Sequence, residues 1–270
     1  MPSREEIVAM LLDEKSGLRE SIVRDLGAST VALFAISESG AGELLNFSGT
    51  GSLVQFANSH YILTAAHVWE ERLKPSQRVG ITLKENVDQR CTIETDSLIP
   101  FSLPIPKAWN EWGPDLVFLR VPSNLVGGIE AYRRFYPLDR NQPNQKVDGV
   151  EVLILMGAPG EFGKYTPTHA ELNINGFFSD VNAGPSKHGG FDYIDLTEDT
   201  KFPGVPKHFG GVSGGGLWRV QLFGSPKTGK IERQWTLEGV AFFQIRLPDA
   251  HVTVRCHGLD SVRAAMKVAS

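Results

Sequence analysis

Ten short runs rich in β-branched and aromatic residues set the main constraint on this chain. They are Val31–Ile36, Gly51–Phe56, Tyr61–Thr64, Val79–Leu83, Leu116–Val121, Val150–Met156, Ala170–Phe178, Leu217–Phe223, Gln234–Phe243 and Val252–Cys256. Gly, Pro, Asn and Asp turns separate them, and no long helical pattern intervenes. Many short strands in this style build a sandwich or a barrel. The 28 glycines and 16 prolines suit a turn-rich all-β design. At 270 residues the chain can bury a full core, as two modest domains or as one large unit. The Pro- and Asn-containing stretch 133–146 reads as a linker between two β halves. The predicted domains are therefore a helical extension over 1–28, a first β unit over 29–140 and a second over 141–270.

Helices are expected only at the two ends. Ile7, Leu11, Leu18, Ile22 and Leu26 fall on one face of a predicted helix over 3–26. Ser3 and Glu6 form a capping box at its start, and Gly17 is a candidate break. That face can pack on the body of the protein or dock a regulatory partner. Leu259, Val262, Ala265 and Met266 predict a closing helix over 259–268. Residues 181–211 look least regular, with Asn182, Gly184, Pro185, Gly189, Gly190, Pro203, Gly204 and Pro206 among them. Such loops on a β scaffold commonly carry binding chemistry.

The balance of charge excludes some functions. A net charge of −4 with no Lys/Arg run argues against a dedicated nucleic-acid binder. No stretch approaches the length of apolar residues that spans a membrane. The N-terminus lacks the basic-then-apolar layout of a signal peptide, so a cytoplasmic location is expected, although a mature form restarted at Met1 would read the same. Cys91 and Cys256 could form at most one bridge, which fits a reducing compartment. His188, His208, His251 and His257 show no metal-ligand spacing, and no cofactor is expected. Trp109, Trp112, Trp218 and Trp235 read as core or cleft walls. Gly224–Ile231 nearly fits a phosphate-binding loop. It fails because Ile231 stands where Ser or Thr must hold magnesium and because it joins two strands.

Chemistry enters with three patterns in order: Thr64-Ala65-Ala66-His67, Asp115-Leu116-Val117-Phe118-Leu119, and Gly211-Val212-Ser213-Gly214-Gly215. Each alone is weak. Together they supply a hydroxyl nucleophile, a histidine to take its proton and a carboxylate to fix the histidine's tautomer. The gaps are 48 and 98 residues, which put base and acid in the first β half and the nucleophile in the second.

Those patterns, with Phe47-Ser48-Gly49-Thr50-Gly51-Ser52-Leu53, resemble the trypsin-like serine peptidases of the chymotrypsin fold. The turn Gly157-Ala158-Pro159-Gly160 resembles one frequent in the bacterial branch. The likeness spans about residues 29–265 by order and spacing, and is specific only at the motifs. It implies two antiparallel six-stranded β-barrels, a protein or peptide substrate, and an acyl-enzyme at Ser213. It assigns His67 as general base, Asp115 as its orienter, and the backbone N–H groups of Gly211 and Ser213 as the oxyanion hole. A catalytically silent or partner-gated binding protein on the same fold is the alternative.

The chain departs from that pattern in places. Val68 follows His67 where many secreted relatives have cysteine. Val212 stands where activatable relatives carry an aspartate that pairs with a newly cut N-terminus, so that route is closed. Phe242 replaces a serine that bonds the acid in many relatives. By the same likeness the specificity pocket lies between the segment before Ser213 and the strand holding Phe242 and Gln244. Lys207 and His208 could favour an acidic residue before the cut. A solvent-facing Lys207, or Asp249 reaching in, would remove or reverse that preference.

Overall fold

The computed structural model describes residues 2–40, 42–84, 89–104, 110–140, 148–166, 169–179 and 185–269. The apolar alternation read from the sequence resolves into two large sheets. The first is built from β1 (Thr30–Ser39), β2 (Gly42–Phe56), β3 (Ser59–Thr64), β4 (Arg78–Thr82), β5 (Arg90–Glu94), β6 (Ile99–Ser102), β7 (Val117–Arg120) and β8 (Tyr136–Pro137). Its order is β5-β4-β1-β2-β3-β7-β6, antiparallel throughout, with β8 lying parallel against β2. The second holds β9 (Val150–Gly157), β12 (Asn175–Ser179), β13 (Ser186–His188), β14 (Phe191–Asp199), β15 (Gly216–Gly224), β16 (Ile231–Arg246) and β17 (His251–Gly258). Its order is β12-β9-β15-β16-β17-β14-β13. A ribbon of β10 (Lys164–Thr166) and β11 (His169–Glu171) stands apart.

The all-β expectation holds, with two antiparallel sheets and few helices. The count of six strands per barrel does not. The sheets have eight and seven strands, and among the described residues no pairing joins the two edge strands of either. Short strands add to the count, among them Tyr136–Pro137, which lies beside β2 off the main order, and Ser186–His188 at an edge of the second sheet. Gly224–Ile231 is the turn between β15 and β16, ending the phosphate-loop alternative. Cys91 and Cys256 are free thiols. Trp109, residues 141–146 of the expected linker and residues 181–184 of the expected loop region lie outside the described residues.

The N-terminal helix divides into α1 (Arg4–Leu12) and α2 (Leu18–Gly27), split where Gly17 takes φ 68°. The capping box forms on both sides: Glu6 N–H donates to Ser3 Oγ at 3.2 Å, and Ser3 N–H to Glu6 Oε2 at 2.7 Å. Ile7, Leu11, Leu18, Ile22 and Leu26 are buried against the second sheet. Arg233 ties α2 to β16 through Asp25 at 2.5 Å. The segment read as linker is partly built in. Arg134 N–H donates to Ala28 O at 2.7 Å, and Arg133 Nη1 donates to Gly27 O at 2.9 Å. A further helix, α3 (Ser123–Glu130), follows β7, and α4 (Leu259–Ala269) closes the chain.

One hydrophobic core joins both halves. Phe56, Tyr61 and Phe118 of the first sheet pack with Ile154, Met156, Trp218 and Val220 of the second and with Val262 and Ala265 of α4. This shared core brings the ends of β3 and β7 beside the loop that enters β15. Among the described residues, no helix is long and apolar enough to cross a membrane.

Candidate active site

Strand register places the histidine against the aspartate. β3 and β7 pair antiparallel with Thr64 opposite Val117. His67 lies three residues beyond the end of one strand, and Asp115 two before the start of the other. Ala65 and Ala66 are buried, and their small side chains let the chain turn at once into a wide helical turn, Val68–Leu73. Val68, Trp69 and Leu73 anchor that turn in the core of the first sheet. His67 N–H donates to Asp115 Oδ1 at 2.9 Å, and His67 Nδ1 donates to Oδ2 at 2.6 Å. Asp115 is only 3% exposed. A carboxylate that deep needs charge-assisted donors, and this one has two. With Nδ1 as donor, Nε2 of His67 is left as the acceptor.

Ser213 follows a tight turn. Val212 N–H donates to Phe209 O at 3.0 Å, and Gly211 takes φ 94°. A closed four-residue turn with positive φ at its third residue is a type II turn, which calls for glycine there. A Cβ at Gly211 would sit 2.4 Å from Phe47 Cε1. At Gly214, with φ 89°, a Cβ would lie 2.0 Å from both Thr50 O and Thr64 Oγ1. The glycine-rich sequence thus reflects close packing of this loop on β2 and β3. Among the described residues, the N–H groups of Gly211 and Ser213 have no acceptor in the protein, whereas the intervening Val212 N–H is bonded. Two adjacent unpaired donors of this sort can receive a developing oxyanion.

His67, Asp115 and Ser213 line one cleft of about 270 Å³. Phe209, Val212, Ala241, Phe242, Phe243 and Val254 give it apolar walls, and Gln244, Asn110 and Glu71 add polar groups. Of the expected pocket residues, Phe242 and Gln244 are there. Gln244 Oε1 accepts from Phe209 N–H at 2.8 Å and so ties the two walls together. Lys207 and His208 are both exposed and do not line the cleft. His208 N–H is instead turned to Glu161 Oε2 at 2.9 Å. Asp249 is exposed in the turn between β16 and β17 and is also outside the cleft. The expected acidic preference therefore loses the residues on which it was based. Among the described residues, no group of three metal-binding side chains occurs.

Sequence reasoning passed over His257. It is fully buried, and its Nε2 accepts the Asp115 backbone N–H at 3.0 Å. The Phe242 ring stacks on it with centroids 4.2 Å apart and planes 20° from parallel. Burial pushes its pKa down to about 4, against the opposing pull of Asp115 and Asp192. Phe242, which cannot bond Asp115, thus packs on a neutral histidine that holds the Asp115 backbone. The loop before Asp115 is fixed from another side by Arg255, which lies 4.0 Å over Trp112 and donates to Glu111 O at 3.2 Å. Arg255 is itself held by Asp195 at 2.8 and 2.9 Å. No local spacing signals the two ties to the Asp115 loop, because His257 and Arg255 reach it across 142 and 144 residues of sequence.

No protein-family model matches this chain. No curated protein matches it either. Among solved structures, one from a study of aromatic interactions in the coupled folding and binding of the Sesbania mosaic virus VPg protein matches over 87% of each chain. Its identity is 16% and its TM-score 0.44, too loose a likeness to carry an inference.

Proposed function

We propose that this protein is a serine endopeptidase of the trypsin-like, chymotrypsin-fold kind. One observation carries the reading: a buried Asp115 carboxylate holds His67 Nδ1 at 2.6 Å in the same cleft that Ser213 lines. Serine needs such a histidine, because its hydroxyl is a poor nucleophile until its proton is accepted.

In the proposed reaction, Ser213 Oγ attacks the substrate carbonyl while His67 Nε2 takes the hydroxyl proton. Asp115 stabilises the resulting imidazolium and keeps the ring oriented. The carbonyl oxygen becomes an oxyanion at the N–H groups of Gly211 and Ser213. Collapse breaks the C–N bond, and His67 gives its proton to the leaving amine. Water, deprotonated by His67, then cleaves the ester and restores the Ser213 hydroxyl. The apolar walls favour an apolar side chain before the cut, and the Gln244 amide, its oxygen accepting Phe209 N–H, adds NH2 donors beside it.

A mixed peptide library digested by the wild-type chain and by Ser213→Ala, with products read by mass spectrometry, tests this. Cleavage after apolar residues by the wild type alone is expected. Equal, background-level cleavage by both would return the fold to a binding role.

A further inference from the structure

Four consecutive carbonyls pass through the turn that carries Ser213, and each has a donor. Gly160 N–H donates to Gly210 O at 2.8 Å, and Gly215 N–H to Val212 O at 2.8 Å. The other two donors come from one residue. Thr50 Oγ1 donates to Gly211 O at 2.7 Å, and Thr50 N–H to Ser213 O at 2.9 Å. Thr50 lies in β2 on the opposite sheet and is fully buried. Its hydroxyl accepts the Ala158 N–H at 3.0 Å. A hydroxyl has a single hydrogen, so with Ala158 donating to it that hydrogen goes to Gly211 O. Its own carbonyl accepts Thr64 Oγ1 at 2.7 Å, which fixes the residue in turn.

This arrangement determines which way the turn's central peptide faces. A type II turn differs from type I by a flip of the peptide between the second and third residues, here Gly210 and Gly211. The flip would turn the Gly211 N–H around and replace a donor with the Gly210 carbonyl. It would also break the bond from Gly160 and leave that half-buried donor unpaired. Thr50 holds the next peptide, so the turn is gripped on both sides of the flip. Beneath it Val212 is 0% exposed, and a Cβ on Gly157 would come within 2.8 Å of its Cγ1. The residue between the two unpaired donors is thus anchored by apolar packing, with no charge partner required.

We propose that Thr50 is a positioning residue for the oxyanion hole. Acting with Ala158 and Gly160, it keeps the turn in its substrate-ready form in the free protein, without cleavage of the chain or a bound activator. This rests on the serine peptidase reading of the same site.

The test uses the full chain and p-nitrophenyl acetate, with the acylation rate constant and Ks measured separately. It compares wild type, Thr50→Val, Thr50→Ser and Gly160→Pro. Valine keeps the volume and branching of threonine but loses the hydroxyl, whereas serine restores it. Proline at 160 removes the N–H at the first position of a short helical turn, where its ring is tolerated. Losing one oxyanion donor outright costs on the order of 10²–10³ in rate. For a hole left intact but free to flip, Thr50→Val and Gly160→Pro are expected to slow acylation about 10- to 100-fold, with Ks unchanged. Thr50→Ser should stay within about threefold of wild type, since the donor is kept. Melting curves and active-site titration normalise each rate to folded protein. An active wild type with Thr50→Val and Gly160→Pro equally fast per folded molecule overturns the clamp and leaves the peptidase reading standing. So does a loss shared equally by Thr50→Ser, or one confined to Ks. A wild type that never acylates overturns the peptidase reading, and the clamp falls with it.

Discussion

Lowering the pH from 7 to 4 protonates His257 in the unfolded chain before it does so in the folded one. The ordinary value is 6.5, and burial lowers the folded value to about 4. The Asp115 and Asp192 carboxylates face the ring and oppose the shift without cancelling it. For a base with a depressed folded pKa, the contribution is complete above the unfolded value and lost as the pH falls from there to the folded one. The loss runs at ~1.4 kcal/mol per pH unit and totals about 3 kcal/mol. The structural reason is specific: Nε2 accepts the Asp115 N–H at 3.0 Å, and a protonated ring would set donor against donor. His257→Gln keeps an acceptor amide but cannot titrate. Urea unfolding of both proteins at pH 7 and pH 4 isolates the histidine from other titrating groups. The wild-type stability relative to the variant should fall by about 3 kcal/mol between the two pH values. A relative stability that stays the same at both would show that His257 is not held neutral, and the account of how Asp115 is supported would fail.

Asp115→Asn should leave the fold intact yet slow acylation at Ser213 by ~10⁴, because an amide cannot satisfy both His67 donors and fixes the wrong tautomer. Stopped-flow acylation measures it, and a loss under tenfold would contradict the role given to Asp115. Lys207→Ala should leave the cleavage preference in a peptide library unchanged, since Lys207 is exposed and outside the cleft. A shifted preference would put it back in substrate recognition. Burial also raises Glu198 to about 7, and its Oε1 is buried without a partner. For an acid with a raised folded pKa, the stability contribution is present below the ordinary 4.5 and lost as the pH rises through about 7. Glu198→Gln should therefore gain in melting temperature over wild type from pH 5 to pH 9, and equal values at both would refute it.

Much of the site was legible because its chemistry follows chain order. His67 and Asp115 sit just off two strand ends, and Ser213 sits in a glycine run whose spacing reflects close backbone packing. The misses have physical causes. Strand β14 falls inside the 181–211 stretch read as loop, since Gly189 and Gly190 before it and Pro203, Gly204 and Pro206 after it mask the run between them, where Asp192 is buried. The Asp192 carboxylate caps α4, accepting Ser261 N–H at 2.7 Å and Asp260 N–H at 3.1 Å. α3 was hidden by Gly127 and Gly128, both poor helix formers. The reading of Lys207 relied on nearness to Ser213 in sequence, but its neighbour His208 turns its N–H to Glu161, and the cleft is walled from β16 and β17. His257 and Thr50 could not be found locally. Their partners lie 142 and 161 residues away and meet them only through sheet register.

The central claim is that Ser213 is activated by His67 and Asp115. The most direct measurement treats the purified chain with a fluorophosphonate and maps the adduct by mass spectrometry, beside Ser213→Ala and heat-unfolded protein. A single stoichiometric adduct on Ser213, absent from both controls, is the expected result. No adduct, or one spread over other hydroxyls at the same rate after unfolding, would contradict it.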